Sequence, residues 1–305
     1  MASEQPAADA FALLSDENRV DILRAIATAQ HEQEPTNSGF VPLSFSAIYE
    51  RVDVDSTSKL SYHLGELTGT YLRKTEAGYW FTHAGDRIAR FILAENFREP
   101  VDVDAIETAG TCLHCGRSRM VAELDDQYFV VRCRACDQPV TGYVVTPAQT
   151  RTHSGTSLLD SLKRKQASEF ALVQRGICPE CGGRIRTTVF DASEQPLLEE
   201  LPVSYATVDE CESCLRQYSA PLSYGAAYHS ASIAFHWDHG VDLTDVGWWE
   251  LHQYLADGRW TAERIDTDPA AYRVVLRHDD DALRVFLDDG ARITRTERVR
   301  GWDVD

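Results

Sequence analysis

The sequence of 305 residues predicts an α+β chain assembled from small modules: an N-terminal helix-turn-helix with a β-hairpin, two four-cysteine ribbons, and a small C-terminal α+β part with a short antiparallel sheet. Three observations predict it. Leu60, Leu64 and Leu67 stripe one face of a short helix whose opposite face carries Ser58, Tyr62 and Gly65. All eight cysteines fall in four C-x-x-C pairs. The C-terminal third is acidic and carries short β-rich runs joined by DDD and DDG turns. A chain this long exceeds one domain, and its boundaries are read at 1–98, 99–150, 151–177, 178–228 and 229–305.

The leucine-striped helix spans 55–67, with Asp55 as its N-cap candidate. A second short helix lies upstream, capped by Ser44 and buried through Phe45, Ile48, Tyr49 and Val52. Two capped helices across a short turn make a helix-turn-helix. Residues 71–75 and 79–82 then alternate around Glu76-Ala77-Gly78, the pattern of a hairpin, with the cations Arg73 and Lys74 close to its tip. That hairpin would be a wing over 71–82, lying on the backbone of double-stranded DNA. Ser58, Lys59, Ser61 and Tyr62 are the candidates for base and phosphate contact, because hydroxyls and a lysine suit both. His63 projects about 60° from the leucine stripe and is read as a packed or capping side chain.

The segments FALLSDENRVDILRAI and STSKLSYHLGELTGTYLRKTEAGYWFTHAGDRIARFI resemble the ArsR-like winged helix-turn-helix transcription regulators, particularly their archaeal branch. The first is similar to the family's opening helix, with Arg19, Ile22 and Leu23 setting the core. The second holds an SxHLxxL-like recognition helix from Ser61 to Leu67. The resemblance covers about the first 95 residues and implies DNA binding, with two-fold dimerisation through the first helix and the helix starting near His83. Arsenic-type sensors of the family place a cysteine pair in this unit, whereas no cysteine precedes Cys112 here, so metal sensing at that position is not expected. The same fold can serve protein contact, which is the plain rival for this region.

The cysteine pairs are Cys112/Cys115, Cys133/Cys136, Cys178/Cys181 and Cys211/Cys214, with 17, 41 and 29 residues between successive pairs. Two thiolates at i and i+3 turn toward one ion when the backbone closes a tight loop, and Gly116 and Gly182 follow two of the pairs where such a loop wants a positive φ. Sequential pairing uses the shortest loops, so the first two pairs form one site and the last two another. The expectation is two structural Zn²⁺ ions per chain, held by zinc ribbons. Residues 120–131 are read as one strand of the first ribbon's hairpin. The rival readings are an iron–sulfur cluster, a thiol switch and catalytic zinc. A closed four-cysteine site leaves no open coordination position, so no enzyme is expected.

Between the ribbons, a helix opened by Ser157 with Asp160 and closed near Gly176 keeps Leu159, Leu162, Phe170 and Val173 on one side. Its run Lys163-Arg164-Lys165 lies off that stripe and, like Arg117, Arg119, Arg132, Arg134, Arg184 and Arg186, is either a solvated face or a second contact surface. In the last third, His229, His236, His239 and His252 match no ligand spacing and are read as core or interface. Trp237, Trp248 and Trp249 are assigned to the core in preference to an effector pocket. Strands are expected over 272–277, 283–287 and 292–296. The order of winged helix, ribbons, FHWDHG segment and small sheet resembles haloarchaeal regulators of the same type.

The net charge of −18 would by itself argue against nucleic acid. Its distribution is uneven: residues 1–98 carry −5, 99–109 carry −4, 110–186 carry +4 and 187–305 carry −13. Only four of the 30 basic residues are lysine, against 48 acidic residues, the composition of a salt-saturated cytoplasm and hence of a halophilic archaeon. In molar salt the Debye length falls to about 3 Å, so the acidic tail repels DNA only at close range. Neither a signal peptide nor an apolar run of about 18 residues is present, so a cytoplasmic protein without a membrane partner is expected. The reading is therefore a sequence-specific DNA-binding transcription regulator, a homodimer open to an unknown effector or protein partner. Its alternative is a zinc-ribbon adaptor that contacts RNA, the transcription machinery or another protein.

Overall fold

The computed structural model describes residues 6–32, 42–196, 198 and 201–300. The chain divides into two compact units, one of residues 1–99 with 146–148, the other of 100–145 with 149–305. Both mix helices with small antiparallel sheets.

In the first unit, α1 (Ala7–Ala12) and a 3-10 turn (Leu13–Ser15) lead into α2 (Glu17–Glu32). Next come α3 (Phe45–Tyr49), α4 (Thr57–Leu67), strands β1 (Leu72–Thr75) and β2 (Gly78–Phe81), and α5 (His83–Leu93). The core joins Ile22, Leu23 and Ile26 of α2 to Ile48 of α3, the leucine stripe Leu60, Leu64 and Leu67 of α4, and Leu72 of β1, all fully buried. Burying some eight aliphatic side chains at roughly 1.5–3 kcal/mol each is what holds these short helices, which would be marginal alone.

Caps set the boundaries. Ser44 Oγ accepts from Ala47 N (3.2 Å), as expected, and Thr82 Oγ1 accepts from Gly85 N (3.0 Å). The N-cap of α4 is Ser56, whose Oγ accepts from Lys59 N (3.3 Å). Asp55, the expected cap, lies one residue too early for its side chain to reach that amide, and its carboxylate takes Lys59 Nζ instead (2.9 Å). The β1–β2 turn is the pair Glu76-Ala77, since Thr75 and Gly78 are already register partners. Leu43 adds a bridge at the hairpin's edge by exchanging both backbone hydrogen bonds with Tyr79 (2.9 Å each).

The second unit opens with the antiparallel sheet β3 (Ile106–Thr108), β4 (Met120–Asp125), β5 (Tyr128–Cys133), β6 (Pro139–Val144), in that spatial order. Residues 120–131 are thus two strands: Asp126 turns at φ 56° between them. The short α6 (Pro147–Thr152) precedes α7 (Thr156–Val173). A three-stranded sheet follows, β7 (Ile185–Asp191), β8 (Tyr205–Cys211), β9 (Gln217–Pro221), then α8 (Leu222–Ala227), α9 (Ser230–Asp238) and α10 (Trp248–Ala256). The chain ends in the meander β10 (Trp260–Thr267), β11 (Ala270–His278), β12 (Asp281–Leu287), β13 (Ile293–Arg300).

The N-cap of α7 is Gly155, not Ser157, which instead exchanges hydrogen bonds with the backbone of Ser154 (N→Oγ 3.1 Å, Oγ→O 2.8 Å). Its inner face buries Leu158, Leu159, Leu162, Ala167, Phe170 and Val173. Each member of the basic run forms an ion pair, Lys163 turned inward and Arg164 and Lys165 at the surface. Lys163 pairs with Glu250 and lies 5.6 Å from the Trp249 ring centroid; Arg164 Nε donates to Asp245 (2.6 Å); Lys165 pairs with Glu169. Two of these three links tie α7 to the segment that carries α10. Trp249 is fully buried, and its Nε1 donates to Thr108 Oγ1 (3.1 Å). Trp237 departs from the core assignment: it is 65% exposed, because α9 buries the face of Ser232, Phe235 and His236.

Candidate metal centres and the exposed face of α4

Each cysteine pair sits in the same backbone loop. In all four, the first cysteine's carbonyl accepts from the amide four residues on, in Gly116, Asp137, Gly182 and Leu215 (2.8–3.0 Å). The first cysteine's own amide donates to the carbonyl five residues on, in Arg117, Gln138, Gly183 and Arg216 (2.8–3.1 Å). The fourth-on residue is left-handed every time, with φ of 68°, 59°, 74° and 61°. Glycine meets that demand freely at two of the loops, whereas Asp137 and Leu215 hold it at a cost on the order of 1 kcal/mol each.

The loops face each other in the order expected. Cys112, Cys115, Cys133 and Cys136 place their sulfurs within 4.8 Å of one another, and so do Cys178, Cys181, Cys211 and Cys214. The closest sulfurs are 3.7 Å apart for Cys112–Cys136 and Cys115–Cys133, 3.7 Å for Cys178–Cys214 and 3.5 Å for Cys181–Cys211. A disulfide requires about 2.05 Å. Four thiolates at about 2.3 Å around a tetrahedral ion stand about 3.8 Å apart, so the spacing is that of a metal cage. Two metal ions per chain fit these clusters, consistent with two structural zinc sites.

Backbone amides favour the thiolate at one cysteine of each cluster, Cys133 and Cys211, whereas burial pushes Cys112 up to about 12, and Cys136, Cys181 and Cys214 are also raised. Amides of Cys214 and Ser213 point at Cys211 Sγ (3.5 and 3.4 Å) and hold its thiol down at about 6. Burial works against Cys133, yet the amides of Ala135 and Cys136 bring it to about 7. Bound zinc would cross-link the β4–β5 and β7–β8 hairpins at their open ends, fixing sheets too small to be stable alone. Each ZnCys4 unit carries a formal charge of −2, which Arg117, Arg119, Arg132, Arg134, Arg184 and Arg186 are placed in sequence to offset.

The histidines of the last third pack against the chain's own helices. His236 is fully buried with Nδ1 2.7 Å from Ser232 O, His239 Nδ1 lies 2.8 Å from Phe235 O, and His229 caps α9 by accepting from Ala231 N (3.3 Å). His278, the last residue of β11, packs between His236 and His239 (4.7 and 4.9 Å between ring centroids). Among the described residues, only the cysteine clusters bring three or more ligand atoms together.

In the first unit, Ser58, Lys59, Ser61 and Tyr62 are all exposed on α4, as are Arg73 and Lys74 on β1. Tyr62 is 58% exposed, with the Arg19 guanidinium 5.9 Å from its ring centroid. Lys74 Nζ lies 5.7 Å from the Tyr79 ring centroid. His63 is buried, its Nδ1 3.7 Å from an Asp16 carboxylate oxygen. Gly65 completes the exposed face: a Cβ there would meet nothing within 4 Å.

Two family profiles match the chain, Domain of unknown function (DUF7347) over residues 7–92 and Domain of unknown function (DUF7351) over 109–293. The first spans α1 to α5, the second both cysteine clusters. No curated protein and no solved structure matches. The second match covers more than half of the sequence, so the chain belongs to the DUF7351 family.

Proposed function

We propose that the protein is a sequence-specific DNA-binding transcription regulator, with α3 and α4 as a helix-turn-helix, the β1–β2 hairpin as its wing, and zinc holding the second unit together. The observation that carries the reading is the division of α4 into two faces: Leu60, Leu64 and Leu67 fully buried, Ser58, Lys59, Ser61 and Tyr62 exposed, and Gly65 bare between them. An exposed glycine inside a helix costs about 1 kcal/mol relative to alanine. Nothing in the fold asks for it, whereas a phosphate backbone or base edge approaching the helix would. Arg73 and Lys74 on β1 would contact the DNA backbone beside it. Exposed Phe11 (64%), Phe91 (44%) and Phe97 (58%), on and beside α1 and α5, supply apolar surface for a homodimer, the usual partner of a two-fold operator. The function would be exercised in the cytoplasm.

The adaptor reading draws on exposed arginines around the cysteine clusters, but its other support, the Lys163-Arg164-Lys165 run, is engaged by carboxylates of the chain itself. Selection of bound fragments from a genomic DNA library by the purified zinc-loaded protein tests the proposal. An enriched inverted repeat, lost when Lys59 and Tyr62 are replaced by alanine, supports it; an unenriched pool refutes it.

A further inference from the structure

Beside the second cysteine cluster lies a cleft of about 740 Å³, within the range of small-molecule sites. Four arginines from three segments line it: Arg175 after α7, Arg184 and Arg186 at β7, and Arg292 on the turn into β13. Among the described residues Glu212 is its single lining carboxylate. Arg186 has a distant partner in Glu210 (3.7 Å), while Arg175, Arg184 and Arg292 have no carboxylate within salt-bridge distance among the described residues. In a chain with 48 acidic against 30 basic residues, guanidinium groups left without carboxylates and gathered on one concave surface present a set of donors suited to an anion. The N-terminus of α9, through His229 and Ser230, lines the same cleft and adds the positive end of a helix dipole.

We propose that this cleft binds a small, multiply charged phosphate compound with the charge of a di- or triphosphate. Guanidinium forks match phosphate oxygens in pairs, which favours a ligand with several such oxygens. Val173, Ile185 and Ile293 supply apolar lining against which an organic portion would rest. The enclosed volume of about 740 Å³ suits a small ligand better than an extended nucleic acid. The site goes beyond the DNA-binding proposal and stands independently of it.

Calorimetric titration of the full zinc-loaded chain with pyrophosphate and with ATP, in molar potassium chloride, tests the site. The comparison is with Arg184→Gln/Arg292→Gln and with Arg117→Gln, which lies outside the cleft; retained zinc verifies that each variant is folded. Saturable binding of either compound, weakened about tenfold or more by the double substitution and unchanged by the control, is the expected result. Absence of binding to both compounds overturns the proposal, as does binding indifferent to Arg184 and Arg292. Capture of a DNA duplex by a Lys59→Ala/Tyr62→Ala chain, abolished by the Arg184 and Arg292 substitutions, also overturns it and makes the cleft a nucleic-acid contact.

Discussion

Replacing Gly65 by alanine separates what the fold needs from what a DNA interface would need. The residue lies inside α4, its built Cβ has open space around it, and its backbone is helical. The substitution therefore gains helix propensity without a clash, worth about 1 kcal/mol. For a unit of this size that is a rise of roughly 4–8 °C in its unfolding midpoint. Hydrogen exchange followed by mass spectrometry on the full chain reads the change locally, as slower exchange of amides in 57–67. The same methyl group would stand on the face assigned to DNA, so operator affinity should fall while stability rises. Faster exchange in α4 would refute the structural argument, because it would mean the position is covered. Slower exchange with unchanged operator affinity would refute the placement of Gly65 at the DNA surface.

The cysteine loops give a matching test: Leu215→Gly relieves a left-handed residue that is 71% exposed, and should stabilise the second unit by up to about 1 kcal/mol and slow zinc loss to a chelator, whereas Gly182→Val should accelerate it. Cys211→Ser should lower the zinc content seen by native mass spectrometry from two ions to one. Stripping both ions should abolish hydrogen-exchange protection across β4–β5 and β7–β8 while α2 and α4 keep theirs. Acid should unfold the second unit selectively. Burial holds His236 and His252 down at about 4, so both stay neutral when folded and take up protons below about 6.5 when unfolded. Stability is then complete above that pH and drains away toward pH 4, by roughly 2 kcal/mol per histidine at pH 5, which denaturant titrations at neutral and acid pH would measure. His278, also held at about 4 by burial and by His239 and Arg259, adds in the same direction.

What was legible in the sequence follows the strength of local constraint. The leucine stripe of α4, the Ser44 cap and the hairpin around Glu76-Ala77 are period and turn signals, and they appear where the residues put them. The pairing of the cysteines was legible because the C-x-x-C spacing and the short loops admit few geometries. Neighbouring capping residues were less decidable: Asp55 and Ser56 both suit the role, and only the entry angle of the chain selects Ser56. Strand β10 carries no legible signal, because only Trp260 of it is buried and no alternation results. The arginine cleft was illegible for a different reason, since Arg175, Arg184 and Arg292 are brought together by tertiary packing alone. The same packing consumed the Lys163-Arg164-Lys165 run, whose carboxylate partners include Asp245 and Glu250 far along the chain.

The central claim is tested most directly by chromatin immunoprecipitation with sequencing of the tagged protein in its own host, comparing wild type with a Lys59→Ala/Tyr62→Ala chain that retains both zinc ions. The account predicts sharp occupancy at sites sharing an inverted repeat, lost in the variant; broad occupancy, or occupancy indifferent to the two substitutions, would contradict it.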